Sequence, residues 1–428
     1  MSGYYLIGEH LGHSFSPAIH RFFGRYDYEL KELSPDKLRS FLEARDFSGL
    51  NVTIPYKQAV IPFLDRLDPR AAKIGAVNTV VNRGGLLWGY NTDFGGMAAA
   101  LRQFVPTQSG REDDRPLCEK KVLILGTGGT SRTALEVCRD LGAAETVRVS
   151  RTGKYEAVFP GDVLRLHRNA ALILNCSPAG MYPQIDSMPL DPSDFPKLEG
   201  VFDCVYNPLR TRLVLAAPSR GLPARGGLYM LVKQAALACA HFTGMPVEEN
   251  LVESLYDLLR RKQENLVLIG MPGAGKSTVG RLLAQKTGKR FVDTDEIIVK
   301  MTGKPITAIF AEDGEVRFRD LEEAVVRDLA RNGGMVVATG GGTVLREDNV
   351  VRLKQNGTLF FLDRPLEALE PSDARPLGDR AERIARLYAE RYAIYTAAAD
   401  RGVPVTGTPE QTVAAILEGL QSEYGESF

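Results

Sequence analysis

Short apolar runs alternate along this chain with stretches in which apolar residues recur every three or four positions. Tyr4 to Ile7 precedes such a stretch near Ser16 to Phe23, Lys121 to Leu125 precedes Ser131 to Leu141, and Leu266 to Ile269 precedes Lys276 to Lys286. Brief apolar runs read as buried strands, and their pairing with amphipathic helices predicts parallel α/β units. Ala134, Leu135, Cys138 and Leu141 form the apolar face of the second helix, and Val279, Leu282 and Leu283 that of the third. Thr107 to Lys120, TQSGREDDRPLCEK, has no such period and predicts a solvated loop. After the Pro- and Gly-rich Pro218 to Gly227, LVKQAALACAHF and VESLYDLLRRK predict helices running to about Lys262, where a short linker leads into a new strand. No internal repeat or low-complexity tract is visible.

A chain of 428 residues exceeds the size at which one hydrophobic core keeps growing, so two or three domains are expected. Its 53 basic and 53 acidic residues balance, which removes the electrostatic argument for nucleic acid or an anionic membrane as partner and points to small molecules. The 5 cysteines, Cys118, Cys138, Cys176, Cys204 and Cys239, include no CxxC pair and read as reduced packing residues. MSGYYLIGEH lacks the pattern of a signal peptide and no run of apolar residues is long enough to span a bilayer, so a soluble, cytoplasmic protein is expected.

Two glycine-rich loops change the picture. The strand KVLIL runs into Gly126-Thr127-Gly128-Gly129-Thr130-Ser131-Arg132 and a helix, where glycines let backbone N–H groups approach a pyrophosphate. The next strand, TVRVS, ends in Ser150-Arg151-Thr152-Gly153-Lys154. A free ribose 2′-hydroxyl usually meets an acid at that strand end, whereas a 2′-phosphate needs cations, so Arg151 and Lys154 favour NADP over NAD. The second loop, Gly270-Met271-Pro272-Gly273-Ala274-Gly275-Lys276-Ser277, has the GxxxxGK[ST] pattern. Its N–H groups, with Gly273, Ala274, Gly275 and Thr278, form an anion nest, Lys276 reaches the β and γ phosphates of ATP, and Ser277 ligates Mg2+. Asp293 and Asp295 follow the strand RFV, at the end where ligands of open α/β sheets collect, and Asp295 also reads as a helix N-cap before EIIVK.

The first hundred residues carry His13-Ser14-Phe15-Ser16-Pro17, Asn51-Val52-Thr53-Ile54-Pro55-Tyr56-Lys57, Ala76-Val77-Asn78-Thr79 and Gly89-Tyr90-Asn91-Thr92-Asp93. Singly these are caps and turns, Asn91-Thr92-Asp93 among them. In this order, beside GTGGTSR, Asn207-Pro208 and Gly227-Leu228-Tyr229-Met230-Leu231-Val232-Lys233-Gln234, they resemble the shikimate dehydrogenase family over about residues 3 to 255. The resemblance implies Lys57 as catalytic acid with Asp93 as its partner. It further implies Ser14 and Ser16 on the substrate carboxylate, Thr53, Asn78, Asp93, Tyr206 and Gln234 on the rest of the substrate, and Gly227 and Met230 beside the cofactor. Two serines at 14 and 16 resemble the shikimate-preferring branch more than quinate-using relatives.

Residues 264 to 420 resemble shikimate kinase. That likeness implies that Asp293 helps hold Mg2+ and that Asp295 binds substrate and orients the attacking hydroxyl. Arg319, oriented by Glu322, and Arg391 would clamp the carboxylate. Phe310 and Phe318 would wall the ring, and Gly340, Gly341 and Gly342 would bring backbone close to it. Arg375, in the lid between Asp363 and Asp379, would reach the phosphates. The lid departs from the family: it is several residues short, and Leu369-Glu370-Pro371 replaces a stretch that usually carries an adenine-stacking arginine. The expected fold is an α/β substrate domain over 1–105, completed by helices of about 228–260, and a Rossmann NADP domain over 115–227. A P-loop, NMP-kinase-like α/β domain with a parallel sheet follows over 264–428. The expected function is NADPH-dependent reduction of 3-dehydroshikimate to shikimate, then phosphorylation by ATP; the alternative is a dehydrogenase joined to a nucleotide-sensing, catalytically weak kinase-like module. Oligomeric state stays open.

Overall fold

The computed structural model describes residues 3–12, 14–24, 26–105, 115–153, 157–218, 221–369 and 377–424. Lys154 and Arg375 lie outside these ranges. The chain divides into two units, Met1–Asn207 with Thr211–Leu258, and Pro208–Arg210 with Leu259–Phe428. Among the described residues no helix is long and apolar enough to cross a membrane.

The first unit holds two sheets. One contains β1 (Tyr4–Gly8), β2 (Tyr28–Glu32), β3 (Gly49–Val52), β4 (Arg66–Leu67), β5 (Thr79–Arg83) and β6 (Leu86–Tyr90), with α1 (Ser16–Phe23), α2 (Pro35–Ala44), α3 (Pro69–Ile74) and α4 (Thr92–Phe104) interspersed. Its order is β2-β1-β3-β5-β6-β4. β1 pairs parallel with β2 and β3, but β5 runs antiparallel to both β3 and β6. A wholly parallel arrangement, which the strand–helix alternation predicts, fails here because β5 and β6 are joined by Gly84-Gly85 at φ 61° and 88°. Two consecutive left-handed residues make the tight turn whose twist matches a hairpin. Leu42, Leu50, Val60, Val77, Val80 and Leu87 are fully buried in this lobe.

The second sheet contains β7 (Lys121–Leu125), β8 (Glu145–Val149), β9 (Leu172–Asn175), β10 (Gly200–Asp203) and β11 (Ala224–Arg225). All are parallel, in the order β11-β10-β9-β7-β8. Its helices are α5 (Gly129–Asp140), α6 (Pro160–His167) and α7 (Arg212–Ala216), and α8 (Leu228–Thr243) and α9 (Glu249–Gln263) follow. The end of the polar insert is no solvated loop: Leu117 is fully buried and its N–H donates to Leu141 O at 3.1 Å. One apolar side chain among charges cannot produce a periodic signal, yet it anchors the segment. α8 lies against α4 so closely that a Cβ at Gly96 would come within 2.8 Å of Met230 O.

The second unit has one parallel sheet of β12 (Asn265–Ile269), β13 (Arg290–Asp293), β14 (Met335–Ala338), β15 (Gly357–Asp363) and β16 (Arg401–Pro404), in the order β13-β14-β12-β15-β16. It is covered by α10 (Lys276–Thr287), α11 (Thr294–Thr302), α12 (Ile306–Glu312), α13 (Gly314–Leu329), α14 (Glu347–Asn356), α15 (Leu377–Ala398) and α16 (Pro409–Tyr424). Buried on both faces, Leu266, Val267, Leu268 and Ile269 read as an unbroken apolar run. α9 ends at Gln263 and β12 opens at Asn265, with Glu264 between them.

Candidate functional site

Strand direction gathers the polar motifs of the first lobe. β1 and β3 are parallel and leave their sheet at one edge, β1 toward Ser14 and Ser16, β3 into Thr53 and Lys57. The reversed β5 starts at that edge, so Asn78 arrives there and accepts the Val52 N–H at 2.8 Å. β6 turns back and ends at the same edge in Asn91-Thr92-Asp93. Asn91 caps α4, its side chain accepting the Phe94 N–H at 3.1 Å, which sets Asp93 in the first turn where the helix dipole favours a carboxylate.

Lys57 Nζ lies 2.6 Å from Asp93 Oδ2, and the two side chains are only 14% and 9% exposed. The Lys57 carbonyl accepts the Val77 N–H at 2.7 Å, tying the loop after β3 to the approach to β5. Asn78 Oδ1 accepts the Thr92 N–H at 2.7 Å, while its Nδ2 donates to Thr92 Oγ1 at 3.0 Å and to Gln234 Oε1 at 3.3 Å. Gln234 comes from α8, so that helix completes the site, and Tyr206, beyond β10, packs its ring 5.6 Å from Phe15 between the two serines. Burial pushes the Tyr206 phenol above its ordinary range. Ser14 Oγ accepts the Ser16 N–H at 3.2 Å.

The dinucleotide loop reaches this same place. Gly126 opens the turn after β7, its N–H bonded to Val149 O at 2.8 Å. Gly129 starts α5 beside Lys57: a Cβ there would lie 3.3 Å from Lys57 Cδ. A Cβ at Gly128 would meet nothing, so that face of the loop has room for a bound group. Thr130 is half-buried, but Ser131 is wholly buried inside the structure, its hydroxyl without a partner among the described residues. Arg151 and Thr152 stand exposed after β8, Thr152 Oγ1 3.0 Å from Ser150 Oγ. At Gly227 any Cβ would collide with Cys204 O, so the start of α8 is locked to the end of β10. Met230 is buried one turn on.

Two networks reach beyond the sequence motifs. Asp203, ending β10, accepts from Thr211 Oγ1 at 2.6 Å, Asn175 Nδ2 at 2.9 Å and the Val205 N–H at 2.9 Å. Burial nevertheless pushes its carboxyl up to about 6. His20 stacks on Tyr28 at 3.9 Å, and burial pulls it down to about 3. Tyr28 then donates to Asn51 Oδ1 at 2.8 Å, and Asn51 Nδ2 to Thr79 Oγ1 at 3.1 Å, behind Asn78. Only pairings between distant strands reveal such chains.

In the second unit the loop from Gly270 to Gly275 joins β12 to α10, with Ala274 buried and Gly273 and Thr278 exposed. Lys276 Nζ donates to Gly270 O and Met271 O, both at 2.9 Å. Burial pulls its ammonium down to about 8, opposed by Asp295 and Asp293. Ser277 Oγ donates to Asp293 Oδ2 at 2.6 Å. Asp293, not Asp295, caps α11, accepting the Asp295 and Glu296 N–H groups at 3.0 and 3.4 Å. The cap falls on the last strand residue because the helix starts at once, and this leaves Asp295 Oδ1 buried without a partner among the described residues. Burial first, then Asp293 and Glu322, push the Asp295 carboxyl up to about 6.

The Gly340-Gly341-Gly342 turn after β14 touches a different group at each step. A Cβ at 340 would lie 2.7 Å from Asp295 Oδ1, one at 341 would lie 2.9 Å from Pro272, and one at 342 would overlap the Arg319 guanidinium. Arg319 Nη1 donates to Glu322 Oε2 at 2.8 Å, and Arg391 Nη1 to Gly341 O at 3.1 Å, so both guanidiniums converge on this turn. Phe318 packs in the domain core, whereas Phe310, 4.6 Å from it, is 38% exposed. Arg364, absent from the sequence reading, follows β15 directly, with Nη1 3.5 Å from Gly273 O.

Family models match two stretches, the shikimate dehydrogenase substrate binding domain over residues 6–80 and shikimate kinase over 272–421. A shikimate dehydrogenase (NADP(+)) from Clostridium perfringens strain SM101 is 34% identical over 275 residues, covering 60% of this chain and 97% of the relative. One from Halothermothrix orenii is 37% identical over 273 residues, 57% and 91% of the two chains. Among solved structures, shikimate 5-dehydrogenase from Thermus thermophilus in complex with NADP(H) and shikimate superposes with a TM-score of 0.52 at 32% identity, over 60% of this chain and 98% of that one.

Proposed function

We propose two consecutive reactions for this chain, which belongs to the shikimate dehydrogenase family and continues into a shikimate kinase domain: reduction of 3-dehydroshikimate by NADPH, then phosphorylation of the resulting shikimate by ATP. The observation that carries the first is the meeting of the Lys57–Asp93 pair with the glycine-rich loop at Gly129. Ketone reduction leaves a developing alkoxide, which needs a positioned acid. Lys57 Nζ gives that oxygen its proton and Asp93 Oδ2 aims the ammonium. Asn78, Gln234, Thr53 and Tyr206 hold the substrate ring, and Ser14 and Ser16 hold its carboxylate. NADPH supplies the hydride when bound on residues 126–131, where the open space at Gly128 fits a pyrophosphate and exposed Arg151 and Thr152 fit a 2′-phosphate.

The second reaction belongs to the other unit. Ser277 and Asp293 offer a hard cation two oxygen ligands, few enough to suit Mg2+, which keeps waters and takes the rest from phosphate. MgATP supplies the phosphoryl group. Asp295 Oδ1, unpartnered and raised toward neutrality, orients the attacking hydroxyl and accepts its proton; Lys276 faces the phosphates; Arg319 and Arg391 grip the carboxylate.

The test follows 3-dehydroshikimate, NADPH and ATP together. Lys57→Ala should slow NADPH consumption by about a hundredfold or more while added shikimate is still phosphorylated, and Lys276→Ala should do the reverse. Either variant keeping its own step near the wild-type rate refutes that assignment. ATP binding without shikimate-dependent ADP release would favour the sensor alternative.

A further inference from the structure

We propose that Arg364 binds the polyphosphate of the nucleotide on the 270–277 loop, an inference that rests on the kinase reading of this unit. β15 lies beside β12 in the sheet, so Arg364 leaves the sheet next to the glycine-rich loop, and its Nη1 is 3.5 Å from Gly273 O. On the other side β16 pairs with β15, and the Val405 N–H bonds to Asp363 O at 2.9 Å, so Arg364 sits between that loop and the segment following β16. The adjacent carboxylate is engaged elsewhere, Asp363 Oδ2 accepting from Tyr392 OH at 3.0 Å. Among the described residues Arg364 Nε is buried without a partner. Among the described residues its contact is this long one to a carbonyl, which leaves most of a guanidinium's five donors unspent.

Charge balance gives this cation a task. Lys276 Nζ is turned onto the Gly270 and Met271 carbonyls, both at 2.9 Å, inside the loop. A triphosphate with Mg2+ remains anionic, and Arg364 supplies a second positive charge at the loop's outer side. Because a guanidinium presents a planar fork to phosphate oxygens, lysine is only a partial substitute.

Isothermal titration of the full chain with three probes tests this: MgATP, magnesium tripolyphosphate and shikimate. Arg364→Ala should weaken MgATP and tripolyphosphate alike by about tenfold, leave shikimate affinity unchanged, and be partly rescued by Arg364→Lys. MgATP affinity within about twofold of wild type overturns the proposal. Loss for MgATP with tripolyphosphate unaffected also overturns it, since the contact is then with base or ribose. Equal loss for all three probes overturns it in favour of a purely structural hold on the loop. A wild-type chain that binds shikimate but no nucleotide refutes the kinase reading, and this inference with it.

Discussion

At the scale of single residues, the turn at Gly340-Gly341-Gly342 reports most directly on the proposed phosphoryl transfer, because each missing Cβ leaves room for a different functional group. Gly342→Ala must displace the Arg319 guanidinium and so break its 2.8 Å bond to Glu322. We expect the KM for shikimate in the kinase step to rise about tenfold or more, with the KM for ATP little changed, since a charge-assisted bond to a substrate carboxylate is worth roughly 1.5–3 kcal/mol. Steady-state kinetics in both substrates checks this, and an unchanged shikimate KM would show that Arg319 does not hold the acid. The three glycines, the two arginines and the carboxylate were legible as motifs. Which glycine serves which group was not, because sequence spacing carries no direction for a side chain. Asp293 and Asp295 make the same point: the pair was readable, but only the start of α11 reveals which caps the helix and which is left without a partner.

Among secondary-structure elements, the contact between α4 and α8 matters most for the proposed dehydrogenase site, since it carries Asp93 on one helix and Gln234 on the other. Gly96 permits the approach, its absent Cβ falling within 2.8 Å of Met230 O and 2.9 Å of Gln234 Cβ. Gly96→Ala should therefore destabilise the first unit by about 1–3 kcal/mol and weaken 3-dehydroshikimate binding. Chemical denaturation with parallel measurement of KM tests both parts, and a stable variant with normal KM would mean the helices separate at no cost. Asn91→Ala removes the α4 cap, and a loss of about 1 kcal/mol is expected by the same denaturation measurement. The alternation of strands and helices was visible in the apolar pattern. The reversal of β5 was not, although Gly84-Gly85 is the local signal that could have announced it.

Across the whole molecule, two compact units each carry one nucleotide loop, and each ligand should leave its own protection pattern. Hydrogen exchange should slow around residues 126–133 when NADP+ is added and around 270–278 when ATP and Mg2+ are added, because a ligand that binds only the folded state suppresses opening in proportion to its concentration over Kd. Protection by NADP+ confined to the second unit would reverse the assignment. Buried His20 gives a pH signature to the first unit. Its folded pKa, about 3, lies below the ordinary 6.5, so between those values the unfolded chain binds the extra proton and the folded state loses stability as pH falls. Wild type should lose up to about 1.4 kcal/mol per pH unit from this group. His20→Gln lacks that term, so its stability gap to wild type should be narrower at pH 5 than at pH 7, and a constant gap would sink the argument.

By itself the sequence determined the parts that are local: strands written as unbroken apolar runs, glycine-rich loops that must precede helices, and the residue types needed for proton and phosphoryl transfer. Those follow from spacing within a few turns of chain, where sterics and hydrogen bonding act between near neighbours. Only the tertiary structure decided what depends on distant segments. It brought Gly129 against Lys57, set Gln234 beside Asn78 across 156 positions of sequence, and stood Arg364 next to Gly273. Strand order and direction fix those meetings, and they emerge from burying many apolar faces at once, which no single stretch of sequence encodes.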